Sequence, residues 1–301
     1  MSGQFHDWMT SRLSDFESTL ENLLPTVATT PTHLHEAMRY AVLDGGKRMR
    51  PLVVFAAGCL FDAPADLLNR AAAALEMIHA YSLVHDDMPC MDDDALRRGK
   101  PTVHVKYNEA TALLVGDALQ AQAFIVLSEG DAFTERKLAM LQTLAKAAGS
   151  VGMCGGQAID LASVGLALSL GELEQMHRLK TGALLNASVL LGAMSGKTLS
   201  TQETTALSNY AGAIGLAFQV VDDVLDATAD SATLGKTAGK DAAANKPTYV
   251  SLLGLDASKM LAEKLCNDAH EALLPFGEKA QHLHNLADLI VQRKASYGLT
   301  Q

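Results

Sequence analysis

The sequence predicts an all-α protein folded as one domain, on three observations. Stretches rich in Ala, Leu, Met and Glu follow one another along the chain, clusters of helix breakers separate them, and period-two alternation between turn pairs is scarce. No low-complexity linker and no short internal repeat divides the 301 residues. That length can bury a large core.

In chain order, the first expected helix, 51–60, follows the break at Asp44-Gly45-Gly46. The next, 65–85, is apolar on most faces, which places it inside a bundle rather than on its surface. After the break Arg98-Gly99-Lys100-Pro101 come 109–127 and 135–148, and beyond Gly155-Gly156 comes 171–194. The next helix covers 201–227 and is again apolar on most faces over 205–227. Asn245-Lys246-Pro247 precedes the last two, 257–274 and 278–293.

Composition narrows the function. A formal net charge of −10 disfavours nucleic acid, whose phosphates need a basic surface. An acidic protein still takes an anionic small substrate where metal ions or local basic clusters invert the field. The four cysteines, Cys59, Cys90, Cys154 and Cys266, are far apart and form no CxxC pair, which argues against a disulfide framework and a zinc site. No uninterrupted apolar run approaches the roughly 20 residues of a membrane span, and the N-terminus lacks a signal-peptide core. The expectation is a soluble, cytoplasmic protein.

Two acidic segments stand out. Residues 85–94 read HDDMPCMDDD, five carboxylates in the nine positions 86–94, directly after an apolar helix. Negative charge at a helix C-terminus opposes the macrodipole and needs a compensating cation. Pro89 ends or bends the helix and lets Asp92 return toward Asp86, although their spacing does not match one helical face. In the second segment, 219–226 (QVVDDVLD), Asp222 and Asp226 are four apart on one face, with Gln219 one turn earlier. The surrounding helix is almost wholly apolar, so these carboxylates must bind metal or line a wet cavity to escape the desolvation penalty. Hard oxygen ligands point to magnesium. A lone DDxxD is more often a solvated helix face; two on buried helices, with basic clusters beside them, reverse that balance.

Diphosphates also need positive charge, because like charges about 4 Å apart repel by about 4 kcal/mol at an effective dielectric of about 20. Gly45-Gly46-Lys47-Arg48-Met49-Arg50 is a glycine turn with three cations, suited to phosphate. Arg97-Arg98-Gly99-Lys100 follows the first aspartates, Lys180-Thr181-Gly182 interrupts a mid-chain helix, and Lys236 and Lys246 follow the second aspartates. Any one of these cations could simply cap a helix. Gly235-Lys236-Thr237 looks like the tail of a P-loop, but Asp230 replaces the first glycine and no strand precedes it. His79, seven residues before Asp86, shares its face; a lone histidine there is usually core, and the adjacent acidic site favours a functional role.

With these residues in place the chain resembles the trans-isoprenyl diphosphate synthase family, most closely its farnesyl-forming bacterial branch. The resemblance runs nearly end to end through AVLDGGKRMRP, EMIHAYSLVHDDMPCMDDDALRRGKPTVH, GDALQ, GGQAIDL, HRLKTGALL, GLAFQVVDDVLD, LGKTAGKD and NKPTYVSLLG. It implies an all-α bundle around a deep central cavity, usually homodimeric. It also implies magnesium held by Asp86, Asp87 and Asp92 facing Asp222 and Asp226. Arg97, Lys180, Thr181, Gln219, Lys236 and Lys246 would contact an allylic diphosphate, while Lys47, Arg50, His79 and Arg98 would bind isopentenyl diphosphate. Asp86, Asp87, Asp92, Lys180, Asp222 and Lys236 would form the catalytic set, and Val291-Gln292-Arg293-Lys294 a basic tail over the site. The implied chemistry is ionisation of the allylic diphosphate, attack on the allylic cation by the isopentenyl double bond, and loss of a proton.

Chain length should be limited one turn before Asp86, at Tyr81 and Ser82. A helical wheel puts Ser82 nearest the face of Asp86 and Tyr81 to the side, whereas the family pattern selects the aromatic at Tyr81 and so a farnesyl product. Geranyl or geranylgeranyl synthesis is the nearest alternative. A class I terpene cyclase would not need two basic sites, and a non-catalytic prenyl synthase subunit would lack some of these residues.

Overall fold

Residues 3–43, 45–228 and 246–293 are described by the structure, a computed structural model. The chain runs through α1 (Gly3–Leu23), α2 (Thr32–Val42), α3 (Met49–Gly58), α4 (Ala65–Asp86) and a hairpin of β1 (Leu96–Arg97) and β2 (Lys100–Pro101). It continues through α5 (Val103–Lys106), α6 (Glu109–Ser128), α7 (Thr134–Ala148), α8 (Met153–Ala162), α9 (Leu170–His177), α10 (Ala183–Met194) and α11 (Thr201–Thr228). The last helices are α12 (Tyr249–Leu253), α13 (Leu255–Ala272) and α14 (Gln281–Gln292). The all-α expectation holds, and every predicted stretch is helical.

Differences from the predicted elements have local causes. In α1 only Phe5, Phe16 and Leu20 are fully buried, with Trp8, Met9, Leu13 and Leu23 half-buried among many polar residues, so composition alone barely marks it. The hairpin strands are too short to show alternation. Its turn residues, Arg98 (φ 53°) and Gly99 (φ 75°), both take the positive φ that a two-residue hairpin requires. The stretch 171–194 is not one regular helix: α9 and α10 are joined by a π-helical turn, Arg178–Gly182. Such wide turns occur mostly at functional sites.

Burial follows the predicted patterning. Helix α4 is inside, with Leu75, Met77 and Ile78 fully buried, and packs along α6. Helix α11 is inside on the other half, packs along α13, and is tied to α14 by the buried Tyr210 hydroxyl, which donates to the Leu283 carbonyl at 2.7 Å. Between the halves lie α3 and α10, each giving side chains to both cores: Val53 and Val189 to one, Phe55 and Leu191 to the other.

Among the described residues α6 alone is long and apolar enough to cross a membrane, a test that a core helix of a soluble protein also passes. Asp117, Gln120 and Gln122 break its apolar run, and it leaves Leu113, Leu114 and Ile125 about half exposed.

The glycine-turn cluster is split by the fold. Arg48, in the left-handed region (φ 49°) at the start of α3, turns into the core. There it pairs with Glu76 of α4 at 2.7 Å and with both carboxylate oxygens of Glu17 of α1 at 2.5 and 3.0 Å, and donates to the Val42 carbonyl. The charged network fixes α1 and α4 against the entry to α3, and Arg48 and Glu76 form part of the wall of the cavity that Lys47 and Arg50 also line.

Candidate active site

Three adjoining cavities meet at Thr181, in the π turn between α9 and α10. Lys180 borders two of them. Close packing of α8 sets this turn: a side chain on Gly156 would bring its Cβ to 2.1 Å from the Lys180 backbone nitrogen. That explains a glycine in GGQAIDL whose role the sequence left open.

The first cavity collects Lys47, Arg50, His79 and Arg98, the four residues expected to bind isopentenyl diphosphate, above Leu185 and Phe218. Each arrives from a different element. Arg98 reaches back from the hairpin turn onto Gly46 (φ 101°), where an added Cβ would lie 2.8 Å from its guanidinium. The buried Arg50 Nε meets no acceptor among the described residues. Burial lowers the pKa of both arginines, and burial with the neighbouring Arg50 and Arg98 pushes His79 well below its ordinary value. His79 is therefore neutral beside concentrated positive charge, which is the electrostatic setting for an anion.

The second cavity, of about 320 Å³, is lined by Asp86, Tyr81, Ser82, Met153, Lys180 and Thr181, among others. Helix α4 ends at Asp86, as Pro89 predicts, and the chain curls back: the Asp92 N–H donates to the Asp86 carbonyl at 2.8 Å. Burial pushes the Asp86 carboxyl up to about 6, against the pull of Lys180 and with the push of Asp92. Crowded carboxylates of this kind, hard oxygen donors that repel one another, suit a divalent cation. Asp87 is arranged differently. Its buried carboxylate accepts two hydrogen bonds from Arg97, at 2.7 and 2.9 Å. The two residues expected to face metal and diphosphate separately are locked together.

The third cavity lies against α11. Its carboxylates are Asp223 and Asp160 rather than Asp222 and Asp226, and Gln219, Lys180 and Lys246 stand with them. Gln219 donates to Asp223 at 3.0 Å, and so does the Tyr249 N–H, at 2.8 Å. Gln219 thus pairs with Asp223, the aspartate one turn further along α11. Lys180 pairs with Asp160 at 2.5 Å. Asp226 is buried, and Asp222 pairs at 2.8 Å with Arg293, whose guanidinium covers the Phe218 ring at 3.9 Å and donates to the Phe218 carbonyl. Sequence reasoning did not single out Asp160 or Asp223; a doubled aspartate and the string AIDL were the only signals. Lys236, the Gly235-Lys236-Thr237 segment, Asp44 and Lys294 lie outside the described residues.

Both candidate length gauges line the second cavity. The Ser82 hydroxyl bonds the His79 carbonyl at 2.7 Å, and Tyr81 sits edge-on to His85 with ring centroids 5.7 Å apart. Burial pushes the Tyr81 phenol up to about 12. Leu113 of α6 and Met153 and Cys154 of α8 close the cavity around Tyr81. A wheel drawn for one helix could not show this wall.

A family model described as polyprenyl synthetase matches residues 31–274. The chain is 50% identical over 293 residues to a probable farnesyl diphosphate synthase of Sinorhizobium fredii, covering 96% of this chain and 87% of that protein. A solved FPP/GFPP synthase of Zymomonas mobilis superposes with a TM-score of 0.86 at 41% identity, covering 97% of this chain and 100% of that one. A geranyltransferase of Helicobacter pylori, solved with magnesium and isoprenyl diphosphate, superposes with a TM-score of 0.83 at 32% identity, covering 97% of each chain.

Proposed function

Because the chain belongs to the polyprenyl synthetase family, we propose that its three adjoining cavities divide the work of one prenyl transfer. The enzyme is a prenyltransferase that condenses isopentenyl diphosphate with dimethylallyl and then geranyl diphosphate, giving farnesyl diphosphate and releasing diphosphate. The observation that carries the division is the meeting at Thr181 of a pocket lined by Lys47, Arg50 and Arg98, a polar pocket that mixes Asp160 and Asp223 with Lys180 and Lys246, and a largely apolar pocket.

Lys47, Arg50 and Arg98 hold the diphosphate of isopentenyl diphosphate, with neutral His79 as a hydrogen-bond donor. Lys180, Thr181, Arg97, Gln219, Lys246 and Lys236 hold the allylic diphosphate. The cofactor is magnesium, and Asp86, Asp92, Asp222 and Asp226 are the carboxylates that would hold a cluster of it between the two segments. When bound, magnesium stabilises negative charge on the departing diphosphate. Asp87, with both oxygens on Arg97, orients that guanidinium; a metal contact at Asp87 would have to displace it. Asp222 is likewise paired, with Arg293, so a metal contact there would have to displace that guanidinium. The allylic carbon–oxygen bond breaks with its electron pair leaving on the diphosphate, and Lys180 stabilises that charge. The isopentenyl double bond then attacks the allylic cation, and a proton passes to the released diphosphate. The apolar cavity excludes water, which would otherwise capture the cation.

Incubating the purified protein with magnesium, isopentenyl diphosphate and geranyl diphosphate tests this reading; farnesyl diphosphate is the expected product, and absence of elongation defeats it. Tyr81 forms the floor on which a C15 chain stops. Tyr81→Ala is expected to shift the major product to geranylgeranyl diphosphate, read by chromatography of the dephosphorylated alcohols. An unchanged C15 product would return Tyr81 to a packing role.

The whole chain acts as one cytoplasmic domain without a membrane span, and it pairs with a second copy. The exposed apolar side chains of α6, Leu113, Leu114 and Ile125, support that pairing. Ile125→Asp is expected to weaken self-association by more than about tenfold through desolvation of its charge, measurable by analytical ultracentrifugation. A variant sedimenting as the native protein does would place the dimer surface elsewhere.

A further inference from the structure

Away from the three cavities, helices α13 and α14 bring together a second group of metal-binding side chains. Cys266 and His270 stand four apart on α13, and His284 and Asp288 stand four apart on α14, so each pair shares one helical face. The two faces meet. We propose that Cys266, His270 and Asp288, with His284 behind His270, form a transition-metal site of zinc type that staples α13 to α14.

One ligand atom from each of Cys266, His270 and Asp288 lies within 4.8 Å of the others, and among the described residues this is the group with that property. A tetrahedral zinc with bonds of about 2.0–2.3 Å has ligand-to-ligand edges of roughly 3.3–3.6 Å. The Cys266 Sγ to His270 Nε2 distance is 3.5 Å and the Sγ to Asp288 Oδ1 distance is 3.6 Å, so two edges are already of that length. The third, His270 Nε2 to Asp288 Oδ1, is a hydrogen bond at 2.7 Å. It opens by less than about 1 Å when an ion replaces the shared proton, and the half-exposed Asp288 side chain is free to make that rotation.

The other side of His270 is equally prepared. Its Nδ1 lies 2.6 Å from His284 Nδ1. With an ion on Nε2, the His270 proton sits on Nδ1 and donates to His284, the outer hydrogen bond that orients a metal-bound imidazole. Burial and the neighbouring His270 lower the pKa of His284, which keeps it neutral and able to accept. Burial and Asp288 push the Cys266 thiol up to about 11, so binding must release its proton to solvent as the thiolate forms. The fourth position is open to water.

The donor set separates this site from the aspartate segments. One thiolate and one imidazole select zinc or a similar ion, whereas all-carboxylate segments select magnesium. The site also has a route to the catalytic half. Helix α13 packs on α11, and α14 leads in five residues from Asp288 to Arg293, the partner of Asp222. Reading cysteine spacing along the chain could not find it, because its ligands come from two helices rather than from a CxxC turn.

Cobalt titration of the purified full-length protein, stripped of metals and held in excess magnesium, tests the site. One equivalent is expected to produce a thiolate-to-cobalt charge-transfer band, lost in Cys266→Ser and in His270→Gln, so that either variant suffices if the other fails to fold. His284→Gln should weaken the ion's affinity by roughly 10–100-fold, as losses of outer-shell partners do. Zinc should raise the melting temperature of the native protein and not of Cys266→Ser. Absence of the band in the native protein, or a band that survives both variants, would overturn the proposal.

Discussion

Asp86→Asn is expected to lower kcat by about a thousandfold, a loss of about 4 kcal/mol of transition-state stabilisation. The substitution keeps shape and removes the charge proposed to hold magnesium, on a residue that lines the apolar cavity. Its pH behaviour separates charge loss from unfolding. Burial, with Asp92, raises the carboxyl from an ordinary 3.8 to about 6 in the folded state. Between these values the native protein binds the proton more tightly than the unfolded chain, so stability without magnesium falls as pH rises through that window. Above about pH 6 the penalty is fully present, and Asp86→Asn relieves it. The variant should therefore be nearly inactive at neutral pH with a melting temperature no lower than that of the native protein. For the native enzyme, magnesium affinity is expected to decline as pH falls through about 6, because proton and metal would compete for one carboxylate. Kinetics over a magnesium titration at several pH values, with thermal melts alongside, check this. Turnover within tenfold of native would remove Asp86 from the metal site.

The largest expected stability effect lies one step away from the chemistry. Arg48→Ala leaves Glu76, with 7% of its side chain exposed, as a buried carboxylate without its 2.7 Å partner. Breaking a buried pair from one side costs roughly 3–5 kcal/mol, which corresponds to a fall in melting temperature of about 5–8 °C for a chain of this size. A double substitution, Arg48→Met with Glu76→Gln, removes both charges and is expected to recover most of that loss. Because Arg48 begins α3 between Lys47 and Arg50, the single variant should also raise KM for isopentenyl diphosphate more than for the allylic substrate. Urea unfolding and initial rates read the two effects. A destabilisation below about 1 kcal/mol would show that the network is solvated rather than buried.

Arg48 also shows where reading a sequence stops. Lys47, Arg48 and Arg50 are three like cations in four positions, and nothing in composition separates them; all three line the cavity, and the left-handed backbone at Arg48 sets that one into a buried pair with Glu76. Asp87 and Arg97 are ten residues apart and were legible as site residues, yet their bidentate contact exists only because the chain curls after Pro89. At Gln219 the helical wheel placed Asp222 and Asp226 on one face with it, and the folded chain pairs it with Asp223, which also accepts the N–H of Tyr249.

By itself the sequence determined the all-α fold, the order of its long helices, and the residue types proposed for magnesium and the two diphosphates. Those follow from local properties: helical periodicity, breakers at the ends, and charge that cannot be buried alone. Tertiary structure decided which of several equivalent charges face the cavity, which pair with each other, and which walls enclose Tyr81. It also joined Cys266 and His270 to His284 and Asp288 across two helices. These depend on contacts between elements distant in sequence, where packing, not periodicity, sets the few ångströms that separate a ligand from a bystander.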